Sequence, residues 1–190
     1  MSEQQDQHQA RLAKLQALQQ QGNDPFAQTS YDRTHSAGQL TADFAALEGQ
    51  TVAVAGRLMA LRGHGKAAFA DLRDETGHVQ LFVRLNNLGD ESFAAFGDLD
   101  IGDIVGVRGT LMKTRSEEVS VEVGEFALLA KSLRPLPEKF HGLKDPDLRY
   151  RQRYVDFMVN EDAREKIVRG ARMIARLRQG MDERGFIEFQ

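Results

Sequence analysis

A flat ring, an amide and a carboxylate occupy positions that strand geometry turns outward together: Phe69, Gln80 and Glu118. Such a set has a definite chemistry. A ring stacks on the π-face of a nucleic-acid base and contributes about 1–3 kcal/mol whichever base it meets. An amide and a carboxylate bond to base edges, which adds selectivity. Around them Arg57, Arg62, Lys66, Arg73 and Arg84 outnumber Asp71, Asp74 and Glu75, a local positive excess that can hold phosphates. On these residues alone, RNA binding competes with peptide or saccharide binding. It also competes with a plain scaffold whose exterior Phe, Gln and Glu only cover strands.

Other chemistries find no residues to carry them. There is no cysteine, which excludes disulfides, cysteine-ligated zinc and thiol catalysis within these 190 residues and fits a reducing compartment. The histidines (His8, His35, His64, His78 and His141) are scattered, with no pair at ligand spacing, so no metal site is expected. No G-x-S-x-G, P-loop or G-x-G-x-x-G motif occurs, and Gly63-His64-Gly65 reads as a hairpin turn rather than a phosphate cradle. No apolar run reaches membrane-spanning length, and the N-terminus lacks the blocks of a signal peptide, so a cytoplasmic protein is expected, with no membrane partner. Net charge is −3: residues 1–50 and 51–133 each carry −3, and residues 134–190 carry +3. A polyanion must therefore be met by local patches rather than by a global field.

The elements that must position these residues fall into segments. Residues 1–50 form an N-terminal extension in which Leu12, Leu15 and Leu18 predict an amphipathic helix over Arg11–Gln21, stopped at Gly22. It either docks on a surface or contacts RNA backbone. Residues 51–133 are strand-like with one interruption. Strands are predicted over Thr51–Leu61, Lys66–Arg73, His78–Arg84, Gly102–Met112 and Glu118–Leu133, with a short helix over Asp90–Leu99. That order, with a helix between the third and fourth strands, is that of a five-stranded Greek-key barrel, the OB-fold. Alternation turns Val79, Leu81 and Val83 inward, and Ala68, Ala70 and Leu72 with them, which leaves Phe69, Gln80 and Glu118 on the exterior.

Residues 134–157 read RPLPEKFHGLKDPDLRYRQRYVDF, a stiff linker ending in arginines interleaved with tyrosines, suited to phosphates and bases. In residues 158–190, Asn160 caps a helix with Glu161 and Asp162 in its first turn. Ile167, Ala171, Ile174, Leu177 and Met181 form its apolar stripe; Gly185 stops it, and GFIEFQ begins a strand.

VAVAGRLMALRGHGKAAFADLRDETGHVQLFV resembles the barrel of bacterial-type class II lysyl-tRNA synthetases. LDIGDIVGVRGTLMKT, LRPLPEKFHGLKD and RYRQRYVDF follow in that family's order, so the likeness covers nearly all of the chain from residue 11 onward. Aspartyl- and asparaginyl-tRNA synthetases share the barrel and a similar Phe/Gln pair; the linker and RYRQRYVDF make the lysine branch specific. The resemblance implies a mainly β fold: an OB barrel with an N-terminal helix, and a helix and strand that begin a class II catalytic domain.

It also implies that Phe69 stacks on an anticodon uridine of tRNA(Lys), that Gln80 and Glu118 read base edges, and that Arg62 supports the loop. Arg57 and Lys66 are the further RNA-binding candidates. Ile167, Ala171, Ile174 and Leu177 would lie in a homodimer interface made by the first class II motif. The complete enzyme implied activates lysine with ATP and Mg²⁺ and charges tRNA(Lys). The second and third motifs have no counterpart up to Gln190, so this chain is expected to bind an anticodon, to hold no cofactor and no catalytic residue, and to catalyse nothing alone. A self-contained OB-fold RNA-binding or regulatory protein is the alternative. One departure bears on the site: the family usually has glycine where Glu117 stands, in a turn where positive φ is wanted.

Overall fold

The computed structural model describes residues 3–137 and 143–189, in two compact units that divide after Pro135. The first unit is built on five strands: β1 (Thr51–His64), β2 (Ala67–Arg73), β3 (His78–Arg84), β4 (Ile104–Lys113) and β5 (Val119–Ala130). They close into a barrel in the order β1-β2-β3-β5-β4. Every pairing is antiparallel except β3 with β5, which run parallel from Gln80↔Ser120 to Val83↔Val123.

β1 is long enough to serve two neighbours. Its first half pairs with β4 from Thr51 to Arg57 and its second with β2 from Arg57 to His64. A bulge at Met59, between the Leu58 and Ala60 pairs, bends the strand from one neighbour to the other. A second irregularity lies in β4 and β5, where Arg108↔Glu125 is followed by Gly109↔Val123 and Gly124 is the extra residue. Gly109 is held there by sterics, since a Cβ would sit 2.0 Å from the Glu122 carbonyl oxygen.

The alternation that closes the barrel is the one read from sequence. Val52, Val54, Leu58, Leu72, Leu81, Val83, Val105, Val107, Leu111, Val121 and Val123 are fully buried in one core. Each large side chain removed from water there contributes roughly 1.5–3 kcal/mol.

Helices complete this unit: α1 (Glu3–Gln20), α2 (Ala37–Ala42), α3 (Phe44–Leu47), α4 (Leu85–Leu88) and α5 (Asp90–Gly97). Ala37 and Leu40 of α2 and Phe96 of α5 join the core, Phe96 meeting Phe126 edge-on at 5.2 Å. α1 starts earlier than the leucine spacing predicts and docks on the barrel. Leu15 is buried, and Arg11 donates to the carbonyls of Ile101 and Ser132 at 3.1 and 3.0 Å. Lys14 reaches Asp100 at 3.2 Å. Asp100 also receives Lys131 at 2.5 Å, and Lys131 meets Asp103 at 2.6 Å, both Lys131 and Asp103 being shut from water. The cations of α1 are thus spent on the barrel. The predicted extension, residues 1–50, and the barrel pack as a single unit.

In the second unit the sequence read as linker contains two short helices, α6 (Pro146–Arg151) and α7 (Arg153–Val159), followed by α8 (Glu161–Asp182). The KFHG turn lies outside the described residues. Asp145 caps α6 by accepting from the backbone N–H of Asp147 at 2.8 Å, with Pro146 at the first helical position.

The arginines of RYRQRY stay exposed in part or largely, but each is paired with a carboxylate. Arg149 and Arg153 both turn to Asp156, at 2.8 and 2.9 Å, and Arg151 pairs with Asp147 at 2.7 Å. Asp156 has no accessible surface, and a buried carboxylate recruits whatever cations reach it. Asn160 precedes α8 as predicted, with Glu161 and Asp162 in the first turn, but its side chain does not cap. Its amide donates to Asp156 at 2.6 Å and to the Leu143 carbonyl at 3.2 Å instead.

α8 ends at Asp182, and Gly185 takes φ 81° beyond it. The predicted strand is absent: Phe186 to Phe189 form no ladder and are exposed. A strand needs a neighbour to satisfy its backbone, and these residues have none here. Ile167, Ala171, Ile174 and Leu177 all face solvent, Leu177 at 65%.

Candidate nucleic-acid interface

Register lays the exterior face of the barrel out as a grid. Across β1, β2, β3 and β5, Arg62, Phe69, Phe82 and Glu122 form one row, and Ala60, Asp71, Gln80 and Ser120 the next. The sequence-predicted residues Arg62, Phe69 and Gln80 are therefore neighbours, and Glu118 joins them from the turn that leads into β5.

The polar part is a short chain of hydrogen bonds. Gln80 donates from Nε2 to Glu118 Oε2 at 2.7 Å, and Ser120 donates from Oγ to Gln80 Oε1 at 2.9 Å. A carboxylate only accepts, so the amide must turn its NH₂ toward Glu118 and its oxygen toward Ser120. One N–H and one lone pair of Gln80 remain, together with Oε1 of Glu118. Gln80 points outward as expected yet is only 7% exposed, because β5 closes alongside it. Glu118 itself is exposed.

The turn that delivers Glu118 adopts the strained geometry anticipated for it. Glu117 has φ 64°, the only non-glycine residue with positive φ among the described residues. The turn is closed by Thr114, whose N–H donates to the Glu118 carbonyl at 3.0 Å, and by a Lys113–Glu117 ion pair at 3.1 Å.

The apolar part holds two rings. Phe69 and Phe82 stack at 4.9 Å with an interplanar angle of 19°, and the Arg84 guanidinium lies 5.4 Å from the Phe82 centroid. Arg84 is ion-paired with Glu122.

The flanking cations differ in what they can offer. Arg62 pairs with Asp71 at 3.2 Å but stays largely exposed, and Lys66 is exposed at the tip of the β1–β2 hairpin. Arg57 is elsewhere. It pairs in register with Arg73, four residues along β2 from Phe69, or about 13 Å at strand rise. Its guanidinium donates to the Gly102 carbonyl at 2.7 Å, and partial burial pulls its pKa down, against the pull of Asp103. Arg57 thus braces the start of β4 and is not part of the group around Phe69.

Sequence reasoning passed over Phe82 and Ser120. Both share strand parity with named site residues, which is the signal that could have found them. A pocket of 440 Å³ belongs to the second unit, lined by Arg149, Tyr150, Arg153 and Lys166 among others, and contains none of the residues grouped around Phe69. No helix among the described residues is long and apolar enough to cross a membrane.

A closed five-stranded barrel that carries stacked rings and an amide–carboxylate pair on one face belongs to a known class. Residues 52–129 match the tRNA anticodon family, described as an OB-fold nucleic acid binding domain. The relatives narrow this further. The lysine–tRNA ligase of Moorella thermoacetica (strain ATCC 39073 / JCM 9320) is 52% identical over 180 residues, 95% of this chain and 37% of the relative. That of Clostridium novyi (strain NT) is 48% identical over 180 residues, 95% of this chain and 35% of the relative. That of Clostridium tetani (strain Massachusetts / E88) is 48% identical over 182 residues, 96% and 36% respectively. Over nearly its whole length the chain is thus similar to lysine–tRNA ligases, and it spans little more than a third of the length of these curated relatives.

Proposed function

We propose that this chain binds the anticodon loop of tRNA(Lys), stacking a uridine on Phe69 and reading its edge with Gln80 and Glu118. The observation that supports this most is the Gln80–Glu118 hydrogen bond beside the Phe69 ring. Its unused groups are a donor next to an acceptor. Uracil presents the complement, a carbonyl oxygen beside the N3–H. Cytosine presents the reverse, an amino donor beside a bare N3, and meets donor with donor and acceptor with acceptor. Arg62 and Lys66 supply charge for the backbone of the loop.

In the complete enzyme this recognition serves a class II lysine–tRNA ligase acting in the cytoplasm, a homodimer joined through the α8 stripe of Ile167, Ala171, Ile174 and Leu177. ATP and Mg²⁺ would supply the energy and charge neutralisation for lysine activation there, and no residue of this chain is assigned to them.

The test is affinity for anticodon stem-loops at fixed salt, with a lysine loop against one whose central uridine is replaced by cytidine. Phe69→Ala is expected to weaken both loops, and Gln80→Ala to erode the difference between them. Equal affinity for the two loops in the unmutated chain would refute the role of Gln80.

A further inference from the structure

We propose that Phe82 is a positioning residue for base stacking: with Arg84 and Glu122 it forms a backing layer that holds the Phe69 ring in the plane a base must meet. This rests on the reading of Phe69 given above and extends it to residues that touch no base. The column is continuous. Phe69 is half-buried at its edge of the face and lies on Phe82 at 4.9 Å and 19°. The Arg84 guanidinium is 5.4 Å from the Phe82 centroid, and the ion pair with Glu122 fixes its place.

Register enforces the arrangement. Phe82 is the direct partner of Phe69 across β2 and of Glu122 across β5, and its ring is met by the Phe69 ring and by the Arg84 guanidinium. On its other side the partner of Phe69 is Arg62 of β1, which is paired with Asp71 and largely exposed, so the ring that stacks on Phe69 is Phe82. A lone ring on a strand samples its χ rotamers, and ordering it on binding costs free energy. A ring already stacked has lost that freedom before the base arrives. The offset-stacked geometry and the cation near Phe82 are the arrangements that aromatic quadrupoles favour.

The experiment uses the chain with two readouts: affinity for the uridine and cytidine loops, and photocrosslinking of a loop with 5-iodouridine at the central position. Phe82→Leu keeps apolar bulk but removes the ring. It is expected to weaken both loops by about two- to tenfold, the range of a lost aromatic pair. The crosslink yield at Phe69 should fall while the uridine-to-cytidine ratio stays unchanged, and Phe82→Tyr should restore both readouts.

Phe82→Leu and Phe82→Met that lower the melting midpoint yet leave crosslinking and affinity intact would assign Phe82 to packing alone and overturn the proposal. If Phe69→Ala itself has no effect, the stacking reading fails and takes this proposal with it. If Phe69→Ala weakens binding and Phe82→Leu does not, only the backing role falls.

Discussion

Replacing Glu117 with glycine is expected to make the barrel more stable, although it deletes an ion pair. Glu117 sits at φ 64°, where a side chain bears a cost of about 1–2 kcal/mol that glycine escapes. Against this stand two losses. Glycine gives up about 0.5–1 kcal/mol through the freedom of the unfolded chain. The Lys113–Glu117 contact, at 3.1 Å with Glu117 79% exposed, is screened by water and contributes no more than about 0.5 kcal/mol. For a turn held in the left-handed region the relief exceeds the entropy, so the net gain is about 0.5 kcal/mol, or roughly 1–2 °C in the melting midpoint. Glu117→Ala separates the terms, since it keeps the strain and drops the ion pair. Urea melts of the three proteins should rank Gly above Glu and Glu at or slightly above Ala. A glycine variant no more stable than the alanine variant would refute the strain argument.

Lys131→Met should cost about 3–5 kcal/mol in urea unfolding, because it removes the cation that meets Asp103 at 2.6 Å in a site closed to water; adding Asp103→Asn should recover much of the loss, and a single-variant cost under about 1 kcal/mol would contradict the buried network. Burial alone would raise the Asp156 pKa, but hydrogen bonds from Asn160 and Arg149 and the charges of Arg149 and Arg153 hold it below the ordinary 3.8. A depressed carboxylate contributes stability above its unfolded pKa and loses it as pH falls through the folded one, so protection from hydrogen exchange in α6 and α7, relative to the intrinsic rate at each pH, should hold at pH 5 and fall only below pH 3.8. Asp156→Asn should remove that step. Lysine-dependent pyrophosphate exchange by this chain should not exceed a buffer blank; a signal above it would place ligase residues among those described. Sedimentation should show self-association that Leu177→Glu abolishes, and a strictly monomeric chain with α8 as protected as the barrel would remove the dimer from the proposed function.

The barrel was legible because period-two alternation is strong wherever a strand has one buried face. Val79-Leu81-Val83 and Ala68-Ala70-Leu72 announced both the strands and the outward residues between them. The parallel closure of β3 on β5 was not legible. It joins segments about forty residues apart and is what buries Gln80 and recruits Ser120 to it. Arg57 was misplaced for a related reason. Parity gives the face of a strand but not the position along it, and the Met59 bulge sets the two halves of β1 against different neighbours. The pairing of Arg149 and Arg153 was not legible either, because local sequence cannot show that Asp156 is sealed from water and claims both.

If the proposed anticodon reading holds, the parallel seam has a consequence for fidelity. Both rings sit on the β2–β3 hairpin, which local pairing can form early, whereas the partners that orient Gln80 arrive only when β5 docks, across a long loop that closes slowly. A molecule opened at that seam keeps the paired Phe69 and Phe82 rings but loses both the Glu122 contact that fixes Arg84 and the groups that orient Gln80. It would still hold an anticodon loop, but without telling one base from another. Accuracy is then the more fragile property. A substitution deep in the core, nowhere near RNA, would first appear as misreading with a modest loss of affinity, and only later, when the hairpin itself gives way, as lost binding.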